Sequence, residues 1–328
     1  RLGTAAIGLD LGTRTVTLAG GGTEPFDRLV IATGAHPRLL PTVPTGPGVH
    51  VLRTYEDAIG LHTDLQHRPR VAIIGAGFIG LEVAASCRQL GLDVTVVEAL
   101  DVPLERAIGA EMGRVVVARH RSRGVRVELG VGVAGLERSG RANGPVEAIR
   151  LEDGRSLPAD LVVVGVGVSP TTGWLTGSGL DLADGVRCDS QLRAQAGGRA
   201  VPGVVAAGDV ARWHHPAYGG EVRIEHWTNA AEQGEAAART LMEGASAPAF
   251  APVPYFWSDQ LGLKLQFLGR ALPGDQVTVI DGELDAERWA VAYGRDGRLV
   301  AALGSSRPGR VMKLRAAIGA GAPYPPGG

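Results

Sequence analysis

The 328-residue chain has 33 lysine and arginine residues against 34 aspartate and glutamate residues, a formal net charge of −1, and 45% of its residues are hydrophobic. No basic block stands out, which argues against a nucleic-acid partner, and the apolar runs are too short to span a membrane. Its two cysteines, Cys87 and Cys188, form no CxxC pair, which argues against a dithiol redox centre, a zinc site or a disulfide framework.

The chain begins with short extended segments rather than with a long helix or strand. Residues 1–34 include RTVTLAG and RLVIATG, which are separated by glycines. The Pro/Gly-rich connection AHPRLLPTVPTGPG follows, and its composition is too broken for a core element. The residue pattern then predicts a helix over 54–67.

The next segment has the order of a βαβ unit. Strand, glycine-rich turn, helix and strand are predicted at 71–75, 75–80, 78–91 and 93–98. Further along, helices are predicted at 109–123 and 229–243, and strands near 125–129, 146–151, 161–166 and 203–210. From about residue 250 the sequence alternates as antiparallel strands do, and a last helix is predicted at 307–318. The alternation of strands and helices predicts an α/β protein with a separate C-terminal α+β domain.

Three glycines in the turn, Gly75, Gly77 and Gly80, have the GxGxxG spacing of a dinucleotide site. Gly75 allows the tight turn, Gly77 lets the backbone approach a pyrophosphate, and Gly80 allows close packing of helix on strand. The helix N-terminus then faces the phosphates. We therefore expect NAD to bind here, with Phe78 and Ile79 of the same motif among its contacts.

Glu98 ends the second strand of this unit. A carboxylate at that point can accept hydrogen bonds from the adenosine ribose, and it would repel a 2′-phosphate. The sequence therefore predicts a preference for NADH over NADPH, which the nearby Arg106 would soften.

Two other strands end on polar turns outside this unit. FDRLVIATG ends on Thr33-Gly34, and VPGVVAAGDV ends on Gly208-Asp209. Ligands of α/β sheets bind at the carboxyl ends of strands. Each turn alone is equally compatible with an ordinary strand end, but the two bracket the NAD unit and together indicate a second nucleotide site.

Several motifs carry a resemblance to a known family. ATGAHPR, VLRTYEDA, GAGFIGLEVAA, VGVGVSPTT, AAGDVA and RIEHWTNAAEQG resemble, in this order, the FAD-dependent NAD(P)H reductases with two dinucleotide-binding domains. PYFWSDQLGLKLQFLG is similar to the third domain of the ferredoxin reductases that serve oxygenases, of the putidaredoxin-reductase and biphenyl-dioxygenase-reductase kind. The resemblance covers essentially the whole chain. It implies an α/β flavoprotein with two three-layer, doubly wound dinucleotide-binding domains and a C-terminal α+β reductase domain.

The resemblance also implies a division of the chain into four segments. These are a partial FAD-binding domain with a linker at 1–53, the NAD-binding domain at 54–170, the second FAD-binding segment at 171–248, and the C-terminal domain at 249–328.

FAD contacts are implied for five residues. Asp209 matches the residue that hydrogen-bonds the ribityl chain, and Arg53 matches an arginine that contacts FAD. Ala6 lies where a strand backbone meets the adenine side, and Thr33 and Gly34 fit the turn near the flavin.

Four further residues are implied near the reacting rings. Trp227 matches a residue beside the isoalloxazine ring, the alternative being a core tryptophan. Glu82 matches a carboxylate that faces the nicotinamide pocket, the alternative being a solvated helix residue. Val166 and Gly167 fit the turn beneath the nicotinamide ribose.

In that family the chain opens with a first GxGxxG unit for the ADP half of FAD, and the NAD unit is inserted later. No such opening unit, and no lysine matching the family's lysine near the flavin, occurs ahead of the NAD unit here. We therefore expect the natural polypeptide to carry an N-terminal extension with a strand, a glycine turn, a helix and an acid. The alternatives are that another chain supplies the strand, or that the partial FAD-binding domain is loosely ordered and flavin-free.

The predicted function is that of an NADH:ferredoxin reductase, with FAD and NAD as cofactors and a [2Fe–2S] ferredoxin, which feeds an oxygenase, as partner. The alternatives are a rubredoxin reductase or NADH oxidase of the same fold, or a flavin-free NAD-binding protein derived from it. The protein would align the nicotinamide with the flavin, and the cofactors would supply the chemistry.

We expect a cytoplasmic protein, and the sequence leaves its oligomeric state open. Candidate docking charges, equally compatible with a solvated helix face, are Arg307, Arg310, Lys313 and Arg315.

Overall fold

The computed structural model describes residues 1–140 and 144–327. The chain forms two compact units, one of residues 1–36 with 168–254 and one of residues 37–167 with 255–328. The first will be called the split unit, and the second the NAD unit with its C-terminal sheet. The division into four segments that the sequence predicts is finer than these two units and stays a prediction.

The helices lie mainly in the part of the chain that follows the Pro/Gly-rich connection. In chain order they are α1 Tyr55–Leu65, α2 Phe78–Gln89, α3 Glu105–Ile108, α4 Ala110–Ser122, α5 Trp227–Glu243, α6 Pro308–Met312 and α7 Arg315–Gly319.

The strands occur throughout the described chain. The first half contains β1 Ala6–Asp10, β2 Thr15–Leu18, β3 Thr23–Pro25, β4 Leu29–Ile31, β5 Ala35–Pro37, β6 Val49–His50, β7 Val71–Ile74, β8 Val94–Glu98, β9 Arg126–Leu129, β10 Val133–Arg138, β11 Val146–Leu151, β12 Ser156–Pro158 and β13 Leu161–Val164. The second half contains β14 Val168–Pro170, β15 Val186–Cys188, β16 Arg193–Ala196, β17 Arg199–Ala206, β18 Ala211–His215, β19 Gly220–Val222, β20 Tyr255–Gln260, β21 Leu263–Gly269, β22 Gln276–Gly282, β23 Trp289–Arg295 and β24 Arg298–Ser305.

A five-stranded parallel sheet of order β6-β13-β7-β8-β9 is the centre of the NAD unit. Its central strands β7 and β13 are the continuous apolar runs VAII and LVVV, as expected for strands that are buried on both faces. Val71 and Ile73 belong to a core cluster with α2 and α4, whereas Ala72 and Ile74 belong to a separate cluster with the antiparallel sheet β10-β11-β12. These three layers confirm the doubly wound fold predicted for this part of the chain.

The C-terminal sheet is antiparallel and has the order β20-β21-β24-β23-β22. Its Phe267, Trp289 and Tyr293 share the buried cluster that contains residues of α2 and α4. The Tyr293 hydroxyl donates a 2.7 Å hydrogen bond to the Ile108 carbonyl. The predicted α+β character of this region is confirmed, and it shares a core with the NAD-binding layers.

The split unit is built on a six-stranded mixed sheet of order β19-β18-β15-β16-β17-β4, together with the small sheet β1-β2-β3 and the pair β5-β14. Trp213 is fully buried in its core, where its indole N–H donates to the Phe250 carbonyl at 3.2 Å. The long helix α5 belongs to this unit and buries Gln233 and Ala237.

Several elements differ from the sequence predictions, and three of the differences have a clear physical reason. The predicted helix at 307–318 is two short helices, because α6 ends with a tighter turn in which the Leu314 N–H bonds to the Val311 carbonyl. Strand β10 was missed, since its alternation is short and interrupted by glycine. The Pro/Gly-rich connection contributes a core residue after all, because Val43 is buried among β7 and β11 residues.

Within the described residues, no helix is long and apolar enough to cross a membrane.

Candidate nucleotide-binding sites

The three motif glycines have three different environments. Gly75 has φ of +101°, and a Cβ there would lie 2.5 Å from the Gly165 carbonyl oxygen. A Cβ on Gly80 would lie 2.1 Å from the Gly75 carbonyl oxygen, so the helix could not pack this closely on the turn. At Gly77 the nearest atom to a Cβ is 3.9 Å away. Gly75 and Gly80 are therefore required by the fold, whereas Gly77 leaves open space in front of the turn.

Helix α2 begins directly behind this space. Its N-cap, Gly77, has φ of −72°, no side chain caps the helix, and its first turn has no acidic residue. Backbone N–H groups at such an end are suited to bind a phosphate. Phe78 packs edge-on against Phe256 with ring centroids 4.8 Å apart, and Ile79 is 45% exposed.

A cavity of about 690 Å³ opens at the carboxyl ends of β7, β8 and β13. Gly80, Ile79 and Glu82 are not among its lining residues. Among the residues predicted from the sequence, its lining includes Gly75, Gly77, Phe78, Glu98, Arg106, Val166 and Gly167.

Glu98 joins the glycine turn to the loop after β8. Its Oε2 accepts the Ala76 N–H at 2.8 Å, and its Oε1 accepts the Leu100 N–H at 2.9 Å. A carboxylate has about four acceptor positions, so both oxygens can still bind ribose hydroxyls. These residues fit the adenosine half of NAD.

The charges around the cavity are mainly negative. Glu98, Glu105 and Glu152 line it, and among the described lining residues Arg106 is the one cation. This balance disfavours a 2′-phosphate and agrees with the predicted preference for NADH. Glu105 and Glu152 were missed from the sequence because neither belongs to the βαβ unit.

In the split unit, strands β4 and β17 are parallel neighbours. Thr33-Gly34 and Gly208-Asp209 therefore follow the carboxyl ends of two adjacent strands, where α/β sheets bind ligands. Ala6 begins β1 in the same unit. The Thr33 hydroxyl donates to the Thr171 carbonyl at 2.8 Å.

Strand β17 ends at Ala206, four residues before the end of the predicted strand, and Gly208 follows it with φ of +76°, a conformation that favours glycine. The Gly208 N–H donates to the buried Gln233 side-chain oxygen at 2.7 Å. Gln233 was missed from the sequence. The neighbouring Asp209 carboxylate is of the type that accepts hydrogen bonds from sugar-alcohol hydroxyls, and so fits the ribityl chain of FAD.

Trp227 begins α5 and is 74% exposed, so it is not a core tryptophan. The preceding residue, His226, is partly buried, and this desolvation of its imidazole lowers its pKa to about 4 although the charge of Asp209 opposes the shift. Arg53, the remaining predicted FAD contact, lies in the NAD unit, and its backbone N–H donates to Asp57 at 2.9 Å.

Glu82 lies on α2 one turn after Phe78 and is half-buried, so it is not a fully solvated helix residue. Its Oε1 accepts a 2.5 Å hydrogen bond from the Ser258 hydroxyl of β20. Burial raises the pKa of this carboxyl, and the hydrogen bonds from Ser258 and the Asp259 backbone oppose that rise. Ser258 was missed, although the segment YFWSDQ carries polar residues on the strand face that also presents Phe256.

The four candidate docking cations are not equivalent. Arg307 forms a 3.0 Å ion pair with Asp281, and Arg310 donates to the Ile280 carbonyl at 3.2 Å. Arg310 and Lys313 are exposed, whereas Arg307 and Arg315 are partly buried. The docking role of this segment stays a prediction.

The structure combines a GxGxxG turn, an uncapped helix end and a second polar sheet edge, which together indicate an oxidoreductase with two nucleotide sites. Comparison with known families identifies the family. The pattern of pyridine nucleotide-disulphide oxidoreductases matches residues 1–234, and that of the reductase C-terminal domain matches residues 255–327. The chain belongs to the pyridine nucleotide-disulphide oxidoreductase family. Proteins of this family bind FAD and use NAD(H).

Relatives within this family include ferredoxin reductases. The chain is 38% identical over 324 residues to the ferredoxin–NAD(+) reductase component of the anthranilate 1,2-dioxygenase system from Burkholderia cepacia, covering 98% of this chain and 77% of that protein. It is 33% identical to the rubredoxin–NAD(+) reductase of Pseudomonas putida, covering 97% and 80%. The reductase in the crystal structure of the covalent putidaredoxin reductase–putidaredoxin complex superposes with a TM-score of 0.90 at 32% identity, covering 98% and 76%.

Proposed function

We propose that the protein is an NADH-dependent ferredoxin reductase, which uses FAD to pass electrons from NADH to a [2Fe–2S] ferredoxin that serves an oxygenase. The observation that carries this proposal is the extent of the similarity to a dioxygenase-system ferredoxin reductase, which covers 98% of the chain at 38% identity. That extent includes the reductase C-terminal domain at residues 255–327.

The NAD unit is proposed to hold NADH through the cavity beside the glycine turn. Gly77 and the uncapped N-terminus of α2 would receive the pyrophosphate, and Glu98 would accept hydrogen bonds from the adenosine ribose. Val166 and Gly167 would support the nicotinamide ribose. These roles follow from the shared cavity and the chemistry of each group.

The split unit is proposed to hold FAD. Asp209 would accept hydrogen bonds from the ribityl chain, and Thr33 and Gly34 would border the flavin. Ala6 is the proposed contact of its adenine side. The FAD contact of Arg53, a residue of the NAD unit, stays a prediction from the sequence. The exposed indole of Trp227 would pack beside the isoalloxazine ring. Bound FAD supplies the conversion of a two-electron donor into one-electron steps, and the protein's part is binding and orientation.

The purified protein tests the proposal through two measurements. We expect the visible absorption band of bound oxidised flavin, and bleaching of that band on addition of NADH without oxygen. We also expect NADH-driven reduction of a [2Fe–2S] ferredoxin to be faster than reduction of a rubredoxin at equal concentration. Absence of the flavin band would favour the flavin-free alternative, and a faster reaction with rubredoxin would favour a rubredoxin reductase. The cytoplasmic location remains a prediction, which cell fractionation would test.

A further inference from the structure

A chain of hydrogen-bonded polar side chains runs from α4, through the C-terminal sheet, to α2. The His120 Nε2 lies 2.8 Å from the Gln260 Oε1, and the Gln260 Nε2 lies 2.9 Å from the Ser258 Oγ. The Ser258 Oγ lies 2.5 Å from the Glu82 Oε1. His120, Gln260 and Ser258 are exposed by 1%, 4% and 0%, so this relay is shielded from water.

The donors in the relay all point toward Glu82. The Gln260 oxygen can only accept, so the His120 Nε2 carries the proton and donates. The Gln260 amide N–H then donates to the Ser258 oxygen, which leaves the Ser258 hydroxyl proton for Glu82. A reversed Gln260 amide would take the Ser258 proton instead, and Glu82 would then have to be protonated to donate. An ionised Glu82 can only accept hydrogen bonds, so it requires the direction described here.

The surroundings of the relay affect its two end groups, His120 and Glu82, differently. Burial lowers the pKa of His120, so the imidazole stays neutral and donates from one nitrogen only. Burial raises the pKa of Glu82, as does the charge of Asp259 next to Ser258 on β20, so both oppose ionisation, whereas the hydrogen bond from Ser258 lowers this pKa. The other strands packed on α2 add little charge, because β7 is apolar and Glu98 at the end of β8 is bound to the Ala76 and Leu100 N–H groups.

We propose that Ser258, supported by Gln260 and His120, is a positioning residue that holds the Glu82 carboxylate ionised and oriented beside the nicotinamide of the bound coenzyme. The inference rests on the proposed function and on the position facing the nicotinamide pocket that the family resemblance implies for Glu82, which lies on α2 behind the cavity lining rather than in it. The nicotinamide ring is neutral in NADH and positively charged in NAD⁺, so a fixed carboxylate stabilises the oxidised form. The C-terminal domain thereby sets the relative affinity for NAD⁺ and NADH, although it has no part in the glycine turn.

The test is a comparison of Ser258→Ala with the unchanged chain by isothermal titration calorimetry. The probes are NAD⁺ and a tetrahydronicotinamide analogue of NADH, whose ring is neutral and donates no hydride. We expect the Kd of NAD⁺ to rise about fivefold to tenfold, which corresponds to the net contribution of one ordinary hydrogen bond, while the Kd of the analogue changes less than about twofold. Because Glu82 favours NAD⁺ only when ionised, the pH below which NAD⁺ affinity falls should move upward in Ser258→Ala.

A matched control is Ser305→Ala. Ser305 is equally buried in the same sheet, but its hydroxyl donates to the Glu287 carbonyl at 2.7 Å and has no link to Glu82. We expect this variant to keep the affinity ratio of the unchanged chain. Ser258→Cys replaces the hydroxyl with a thiol of similar size that is a weaker donor. It should give an intermediate ratio of the NAD⁺ and analogue affinities, and it replaces Ser258→Ala as the test variant if that variant folds poorly.

A double-mutant cycle separates a relay from a packing effect. In a Glu82→Gln background, Ser258→Ala should leave the affinity ratio unchanged, because the charge that it positions is gone. Equal weakening of both probes, or an equal effect of Ser305→Ala, would overturn the relay. If the unchanged chain binds neither probe, the proposed function fails; if it binds both and the ratio is insensitive to Ser258, only the present inference fails.

Discussion

Replacing Gly80 with alanine should weaken the fold of the NAD unit. The new Cβ would lie 2.1 Å from the Gly75 carbonyl oxygen, a separation that real Cβ atoms essentially never show. The oxygen belongs to the backbone of the turn and cannot rotate away as a side chain would. Helix α2 would therefore have to move away from the turn by roughly 1 Å to restore van der Waals contact.

The expected cost follows from two opposing effects. Overpacking a well-packed site costs about 1–3 kcal/mol, and a backbone obstacle places this case at the upper end. Exchanging glycine for alanine inside a helix returns about 1 kcal/mol through helix propensity. The net loss is about 2 kcal/mol, which lowers the Tm of a unit of this size by about 4–8 °C.

Gly77→Ala is the matched control for that variant. A Cβ at Gly77 has no atom closer than 3.9 Å and its φ of −72° suits alanine, so we expect a Tm change within about 2 °C. The methyl group would stand where the pyrophosphate approaches, and we expect the Kd of NAD⁺ to rise by about tenfold or more. Thermal unfolding and calorimetry measure both quantities. A Gly80→Ala chain with unchanged Tm, or a Gly77→Ala chain with unchanged NAD⁺ affinity, would refute the reasoning.

Four further outcomes are expected. NADH should be used at least about tenfold more efficiently than NADPH in kcat/KM, because Glu98 disfavours a 2′-phosphate, and equal use would contradict that role. Asp209→Ala should lower the flavin-to-protein absorbance ratio while the Kd of NAD⁺ stays within about twofold, whereas the opposite pattern would mean that the two sites are reversed. Ferredoxin reduction should slow as salt rises if the exposed Arg310 and Lys313 help docking, since charges are screened over about 8 Å at physiological ionic strength, and a flat rate would exclude that help. Burial lowers the pKa of His226 to about 4, whereas the pKa of this residue in the unfolded chain is about 6.5, so the unfolded chain binds the proton more readily. The free energy of unfolding should therefore decrease as the pH is lowered from about 6.5 to 4, by at most about 1.4 kcal/mol per pH unit. Urea titrations should show a shallower decrease in His226→Gln.

The elements of the NAD unit were predictable because their signals are local. The apolar run VAII, the glycine spacing and the following helix lie within about thirty residues, as a βαβ unit requires. The structure places β7 at Val71–Ile74 and α2 at Phe78–Gln89, close to the predicted 71–75 and 78–91. Each of these residues is constrained chiefly by near neighbours in the chain, so the sequence pattern carries the information.

Exposure at individual positions was harder to predict. A tryptophan such as Trp227 is compatible with a core or with a binding surface, and only the packing of α5 shows that it is 74% exposed. The same holds for Val43, which a Pro/Gly-rich segment carries into the core. Local composition describes how a segment can fold but not what comes to lie against it.

The chain alone therefore determined the βαβ unit, its GxGxxG turn and the alternation that marks the C-terminal strands, since each depends on periodicity over a few residues. The tertiary structure alone decided which side chains meet. Glu82 and Ser258 are 176 residues apart in the chain, and they form a hydrogen bond because β20 packs on α2 in one particular register. Such a register is set by the whole shared core, which no short stretch of sequence contains.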